Sequence, residues 1–461
     1  MGSMIEALRS IVGEKYARDD ADSLLTYGRD WTRFYEPHAG AIAFPGTVEQ
    51  VAAIVRFAND QQLSLVPSGG RTGLSGGAVA TRGEVVVSFD RMNEVTNFNE
   101  IERTVTVQPG VITQQLQGFA EDHGLFYPVD FASAGSSQLG GNIATNAGGI
   151  KVLRYGLTRD WVQGLKVITG TGEMLDLNKG LVKNATGYDL RHLFIGSEGT
   201  LGFIVEATMQ LTAKPKPLSV VLLAVPALEN IISILTEFRA RVPLTAYEFF
   251  SDKALGHVLA HGSGARPFET AADFYALIEI ENVQEATEAD TLSAFEHCME
   301  AGWATDGILS QNDRERAALW RYREGISESI TPYTPYKNDV AVTISRVPAF
   351  LQAVDEAVAR RYPDFEIVWF GHIGDGNLHL NILKPGDLAI DDFKAQCEEV
   401  SEEVMGIVQA YDGSVSAEHG VGLLKRNQLG YTRSRTEMDY MAAMKRVFDP
   451  NGVMNPGKLL I

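Results

Sequence analysis

Apolar positions along the chain fall into two textures. Residues 5–35 are largely polar at helical spacing and predict an N-terminal helical arm. From residue 37 to about 217, short β-branched runs such as Val85-Val86-Val87 and Thr104-Val105-Thr106-Val107 are broken by Gly, Thr and Asn turns. Strands are predicted at 63–66 and 85–89. Beyond Lys214-Pro215-Lys216-Pro217 the units lengthen into a strand at 219–225, a helix at 227–241 and a strand at 244–250, with further units at 274–281, 311–330 and 340–345. Repeated strand-helix units of this kind predict an antiparallel sheet covered by helices. The fold class is therefore α+β, divided into an arm (1–36), a loop-rich domain (37–217), a cap domain (218–410) and a C-terminal segment (411–461).

A chain of 461 residues exceeds what one core supports. The balance of 40 basic against 59 acidic side chains argues against nucleic acid or an anionic membrane as partner, so an anionic substrate needs a local basic cluster. Cys298 and Cys397 stand far apart and outside any CxxC pattern, which points to a reducing, cytoplasmic setting without disulfides or thiolate metal sites. The opening Met1-Gly2-Ser3-Met4 reads as an expression remnant. Neither a signal peptide nor a membrane span is expected, since the strongest apolar stretch, 220–225, is far shorter than the ~20 residues a span needs.

Residues 67–77, PSGGRTGLSGG, place five glycines in eleven positions directly after a predicted strand. Glycines let consecutive N–H groups turn inward around a pyrophosphate. The spacing is not GxGxxG and a strand follows instead of a helix, so the loop taken alone is equally a plain glycine-rich turn. Two further segments, 133–149 (SAGSSQLGGNIATNAGG) and 196–204 (GSEGTLGFI), are built almost wholly of small and hydroxyl residues, as backbone approaching a large flat ligand requires. Together the three resemble the two-part FAD-binding domain of vanillyl-alcohol oxidase and p-cresol methylhydroxylase type flavoproteins. The resemblance implies FAD against Ser68, Gly69, Gly70, Arg71, Thr72, Gly73, Ser75, Gly135, Ser136, Gly141, Asn142, Thr145, Glu198, Gly202 and Ile204. Some relatives bond the flavin to a histidine of the first loop. No histidine lies between Pro67 and Gly77, so noncovalent FAD is implied.

The stretch 366–381 holds two of the nine histidines. A two-residue hairpin turn at Asp375-Gly376 sets His372 opposite His379, with Cβ atoms ~5 Å apart on one face. Downstream, SAEHGVG (416–422) supplies Glu418 and His419. Two imidazoles and a carboxylate with open positions suit catalytic Zn²⁺ and also accept Mn²⁺, leaving His419 as general base. Either hairpin histidine alone is better explained by satisfied hydrogen bonds, and it is the pair with Glu418 and His419 that points to a metal. Both motifs, and the ending FDPNGVMNPGKLL (448–460), resemble the C-terminal half of FAD-linked D-lactate, glycolate and D-2-hydroxyglutarate dehydrogenases. That resemblance implies His372, His379 and Glu418 as metal ligands, His419 as base, Asn381 on the substrate's C1 carboxylate and Asn455 beside the flavin.

Arg323 and Ser327 lie four apart in a predicted helix, and Lys337 follows after a Pro-broken stretch. A guanidinium fork, a hydroxyl and an ammonium bind a second carboxylate well, although isolated pairs of this kind are usually solvated helix charges. The trio resembles the distal-carboxylate site of D-2-hydroxyglutarate dehydrogenases, with serine where the family has threonine and a loop about one residue shorter. The implied chemistry oxidises a small D-2-hydroxy acid: the metal polarises the C2 hydroxyl and C1 carboxylate, His419 takes the proton, and the C2 hydrogen passes as hydride to flavin N5. Electrons then leave through a separate acceptor such as an electron-transfer flavoprotein or a quinone, with a homodimer left open. The rivals are D-lactate or glycolate oxidation on the same scaffold, and a non-catalytic protein that merely binds flavin or metal.

Overall fold

The computed structural model describes residues 4–32, 34–262 and 264–460. Its contacts divide the chain into two compact units, the first built from the described residues up to Gly148, Gly156–Lys214 and the residues from Glu418 on, the second from Gly149–Tyr155 and Pro215–Ala417. No helix among the described residues is long and apolar enough to cross a membrane.

The first unit is in two parts. A four-stranded sheet in the order Ala17–Arg18, Ala41–Ala43, Val85–Ser88, Leu65–Ser68 is antiparallel at its first pair and parallel beyond it. Helices Met4–Val12 and Val48–Gln61 bury Leu8, Val12, Val51, Ile54 and Val55 in its core. The residues expected as an N-terminal arm are thus built into this unit, with the strand Ala17–Arg18 between Met4–Val12 and a second helix, Ala21–Tyr27. A five-stranded antiparallel sheet in the order Val95–Asn99, Thr104–Val107, Gly202–Gln210, Val162–Thr169, Met174–Leu177 forms the second part, and helices Thr113–Asp122 and Leu139–Thr145 pack Leu116, Ala120 and Ile143 against it. This is the expected α+β, two-part architecture.

The second unit is a seven-stranded, wholly antiparallel sheet in the order Asp306–Leu309, Leu218–Val225, Phe274–Glu281, Leu244–Ser251, Glu366–Gly371, Asn377–Leu383, Tyr336–Ala341. Every residue of Leu244–Ser251 is buried, because helices cover both of its faces. Leu255 of helix Asp252–Ala260 and Leu319 and Trp320 of helix Asp313–Glu324 pack on the face of Phe250 and Phe370. On the opposite face the Tyr247 hydroxyl donates to Ile231 O of helix Leu228–Arg241 at 2.6 Å. Burial on both sides is why these strands read as near-continuous apolar runs.

Two expectations shift. The helix expected over 311–330 is divided at Gly325 into Asp313–Glu324 and Ile326–Ser329, at the residue that loses most backbone freedom in a helix. The strand expected at 340–345 runs instead over Tyr336–Ala341, and residues 344–346 form a 3₁₀ turn. Its polar start, Tyr336-Lys337-Asn338-Asp339, pairs with Leu380 and its neighbours, an alliance that an apolar-run criterion does not register.

The turn beyond Gly371 depends on Gly376, which has φ 85° and where a Cβ atom would fall 2.1 Å from Val342 O. Gly376→Ala is therefore expected to lower stability by about 1–3 kcal/mol through strain in the turn. A denaturant titration checks this, and an unchanged midpoint would mean that the turn relaxes freely.

Candidate active site

The glycine loop lines a hollow in the first unit that opens to solvent. Gly69, Gly70, Arg71, Thr72, Gly73, Ser75, Gly141, Asn142, Thr145, Glu198, Gly202 and Ile204 border it, whereas Ser68, Gly135, Ser136 and Asn455 of the anticipated set do not. Ser136 matters differently: a Cβ at Gly70 would lie 2.1 Å from Ser136 O, so the two loops touch backbone to backbone and the absence of a side chain permits it. Around Gly141, by contrast, nothing stands within 4 Å of the Cβ position, which leaves room for a ligand against the helix Leu139–Thr145. The Gln138 amide donates to Asp90 Oδ1 at 2.8 Å, while its Oε1, buried at the cavity wall, has no hydrogen-bond partner among the described residues. A roomy, glycine-walled hollow with an orphaned acceptor fits a large flat cofactor bearing N–H groups.

Sequence reasoning missed Asp30 at this cavity. It is buried, accepts from Gly76 N at 2.9 Å and Thr32 N at 3.0 Å, and has its pKa raised by desolvation. A lone Asp in a polar arm carries no signal that its backbone partners lie in the glycine loop.

The end of the chain completes the first unit. Glu198 takes a left-handed conformation (φ 51°), and its buried carboxylate accepts from Val421 N and Gly422 N, both at 2.7 Å. Desolvation still outweighs these bonds and raises its pKa. Asn455 donates to Gly77 O at 2.9 Å and Glu198 O at 2.7 Å, so it braces the cavity wall from behind. His419 lies on the cavity, with Nε2 3.7 Å from Glu418 Oε1.

In the second unit the hairpin register differs from the expected one. His379 stands opposite Phe370, and residues 372–376 form the turn, so His372 lies beyond the ladder. Asp375 and Gly376 do not sit alone at the tip because backbone bonds from Asp375 N to His372 O (3.1 Å) and Gly376 N to Ile373 O (3.3 Å) wind the turn earlier. The rings nevertheless meet, with centroids 5.3 Å apart at 82°.

Pairing places Phe250, Phe370, His379, Asn381, Lys337 and Asp339 on one face, and Glu248, two residues before Phe250, shares it. His372 Nδ1 lies 2.8 Å from Glu248 Oε1, and Arg323 is 2.8 Å from Glu248 Oε2. Burial alone would raise the Glu248 carboxyl, but the His372 and Arg323 charges beside it and the hydrogen bond with His372 outweigh it and hold the pKa below the ordinary glutamate value. Arg323 is buried, its guanidinium 4.7 Å from the Phe370 ring centre, and its Nε has no hydrogen-bond partner among the described residues. Asp339 accepts from Asn377 Nδ2 at 2.7 Å and Ala417 N at 3.1 Å, and lies 3.9 Å from His379 Nδ1. Glu248 and Asp339 were both missed. Their one signal was a carboxylate inside a strand, among apolar neighbours at Tyr247-Glu248-Phe249 and before Val340.

The remaining anticipated residues lie as follows. Asn381 is buried and donates to Val368 O and His379 O, both at 3.2 Å, so it meets a carboxylate only by releasing one of them. Lys337 is exposed as a residue, yet the protein around its ammonium desolvates it and lowers its pKa. Ser327 is exposed while Arg323 is buried, so the break at Gly325 does not set the two on a common buried face.

Residues 39–178 match the FAD binding domain family, and residues 214–459 match the C-terminal domain of FAD linked oxidases. A D-2-hydroxyglutarate dehydrogenase of Stutzerimonas stutzeri is 58% identical over 457 residues, covering 99% of this chain and 98% of the relative. One of Xanthomonas citri is 53% identical over 455 residues, covering 99% and 96%. The crystal structure of p-cresol methylhydroxylase with substrate bound shares the fold at a TM-score of 0.76 and 15% identity, covering 99% and 96%. The chain belongs to the FAD-linked oxidases. Within them it is an FAD-dependent hydroxy acid dehydrogenase.

Proposed function

We propose that the chain oxidises D-2-hydroxyglutarate to 2-oxoglutarate and passes the electrons to a separate acceptor, such as an electron-transfer flavoprotein or a quinone. The observation that carries this reading is Arg323: a buried guanidinium with an Nε donor left over is poised for a carboxylate that arrives with the substrate. Lys337 adds a partly desolvated positive charge on the same sheet unit, and Asn381 a C1-carboxylate contact. Relatives named for this substrate, at 58% and 53% identity over nearly the whole chain, support it.

In this reading His372, His379 and Glu418 hold a divalent metal, Zn²⁺ before Mn²⁺. The donor set is right for either, and Glu418 follows directly on Ala417, whose N–H is tied to Asp339. When bound, the metal supplies a Lewis acid for the hydroxyl oxygen and FAD a two-electron acceptor for the C2 hydrogen. His419, which lines the cavity with its Nε2 3.7 Å from Glu418 Oε1, removes the hydroxyl proton.

D-lactate or glycolate oxidation is the second reading. It is favoured by the ion pair that already occupies one side of Arg323 and by the exposure of Ser327. Anaerobic reduction of the flavin by a panel of D- and L-2-hydroxy acids, with and without added Zn²⁺, separates the two. Bleaching by D-lactate but not by D-2-hydroxyglutarate would overturn the first.

FAD is held without a covalent bond. Of the described cavity-lining residues only His419 is a histidine and none is a cysteine or tyrosine. Acid or heat denaturation is expected to release all the flavin into the supernatant, and yellow fluorescence retained by the pellet would refute this.

A further inference from the structure

Outside the assigned residues, one side chain of the second unit touches both halves of the proposed chemistry. Glu248 sits in the middle of the strand Leu244–Ser251 and is 1% exposed. Its two oxygens are divided: Oε1 faces His372 Nδ1 and Oε2 faces Arg323, each at 2.8 Å. The contacts then close into a circuit. His372 meets His379 at 5.3 Å between ring centres, His379 meets Phe370 at 5.0 Å, and Arg323 lies 4.7 Å from the Phe370 ring centre. An ionised carboxylate only accepts, so Nδ1 of His372 carries the hydrogen, and when the ring is neutral, as a metal ligand must be, Nε2 is the nitrogen that holds the lone pair. On the other side the same carboxylate holds one edge of the guanidinium and leaves Nε as the free donor.

We propose that Glu248 is a positioning residue that sets the tautomer of His372 and the aim of Arg323 together, so that metal retention and recognition of the distal carboxylate depend on one buried carboxylate. The proposal rests on His372 as a metal ligand and Arg323 as the carboxylate donor. A strand carboxylate serving only stability needs no such division, since one partner would neutralise it. Replacing the carboxylate by an amide removes the charge while keeping the shape.

The test compares the FAD-loaded wild type with Glu248→Gln and Arg323→Gln. Zn²⁺ affinity is read by competition with a chromogenic chelator, and KM and kcat are read for D-2-hydroxyglutarate and D-lactate. Glu248→Gln is expected to weaken Zn²⁺ binding by about 10–100-fold and to raise KM for the dicarboxylate more than for D-lactate. Arg323→Gln is expected to leave Zn²⁺ affinity within about threefold of the wild type, below the roughly 10–100-fold that loss of a ligand's hydrogen-bond partner costs. Unchanged Zn²⁺ affinity in Glu248→Gln with full FAD content would overturn the proposal, as would an equal rise in KM for both acids. Should Glu248→Gln fail to fold, ¹⁵N imidazole shifts of the FAD-loaded wild type before metal addition decide: His372 with its hydrogen on Nε2 overturns the proposal. A wild type that binds no Zn²⁺, or that prefers D-lactate, instead marks failure of the metal or substrate reading, and the tautomer measurement still stands apart from both.

Discussion

Replacing Arg323 by alanine is expected to cost the oxidation of D-2-hydroxyglutarate roughly 2–5 kcal/mol in kcat/KM, because a charge-assisted hydrogen bond is lost and a desolvated carboxylate is left unpaired. D-lactate has no distal carboxylate, so its weaker turnover should hardly change. D-malate, one carbon shorter, should fall between them. The variant also strips Glu248 of one of its two partners and is expected to melt at a lower temperature, since removing one side of a buried ion pair strands the other. That loss is common to all substrates and cannot by itself produce discrimination. Lys337→Ala should show the same selectivity in smaller measure, because a flexible ammonium restrains a carboxylate less than a fork does. The measurement is kcat/KM for the three acids with wild type and both variants, alongside thermal melts. Equal losses on all three acids would show that Arg323 serves the fold or the C1 carboxylate, and the dicarboxylate assignment would fall.

The second large effect concerns the metal. His372→Ala and His379→Ala should each abolish metal retention while leaving FAD bound, because both histidines belong to the second unit and the flavin cavity is lined by residues of the first. A tetrahedral site that loses one of three protein ligands keeps too few donors to compete with water. Elemental analysis and flavin absorbance of the same preparations give both numbers. Full metal content in both variants would end the idea. His379→Ala removes a ring packed between Phe370 and His372, whereas His372→Ala removes a hydrogen bond to Glu248, so the two should differ in melting temperature even if both are metal-free.

What was legible in the sequence follows from how each feature is encoded. The glycine-walled cavity announces itself locally, because backbone can crowd a large ligand only where side chains are small, and loops 67–77, 133–149 and 196–204 carry that composition in plain view. The cap sheet is legible because strands buried on both faces must be apolar throughout. Hairpin register was not, since the winding of residues 372–376 is settled by close approach to Val342 rather than by the Asp375-Gly376 pair. Nor was the role of Glu248: its partners lie 124 positions away at His372 and at Arg323 on a separate helix. Asp30 was hidden for the same reason, its acceptors being met by the backbone of Gly76. Pairings between distant segments leave no periodicity, only an out-of-place charge in an apolar run.

The threading of the first unit has a consequence for how the chain is born. Its four-stranded sheet holds Leu65 N against Val453 O and Asn455 N against Leu65 O, and the Glu198 carboxylate accepts from Val421 N and Gly422 N. Translation normally lets N-terminal domains settle first. Here the ribosome finishes the second unit at Ala417 while the first still waits for its last strokes. A nascent chain paused at that point carries a complete sheet domain beside an unsealed flavin cavity with a buried carboxylate lacking its donors. Cofactor capture is therefore expected to wait for the last residues, and a chain cut before Asn455, which loses the bonds to Gly77 O and Glu198 O, is expected to hold less flavin at equal protein concentration, as absorbance would show.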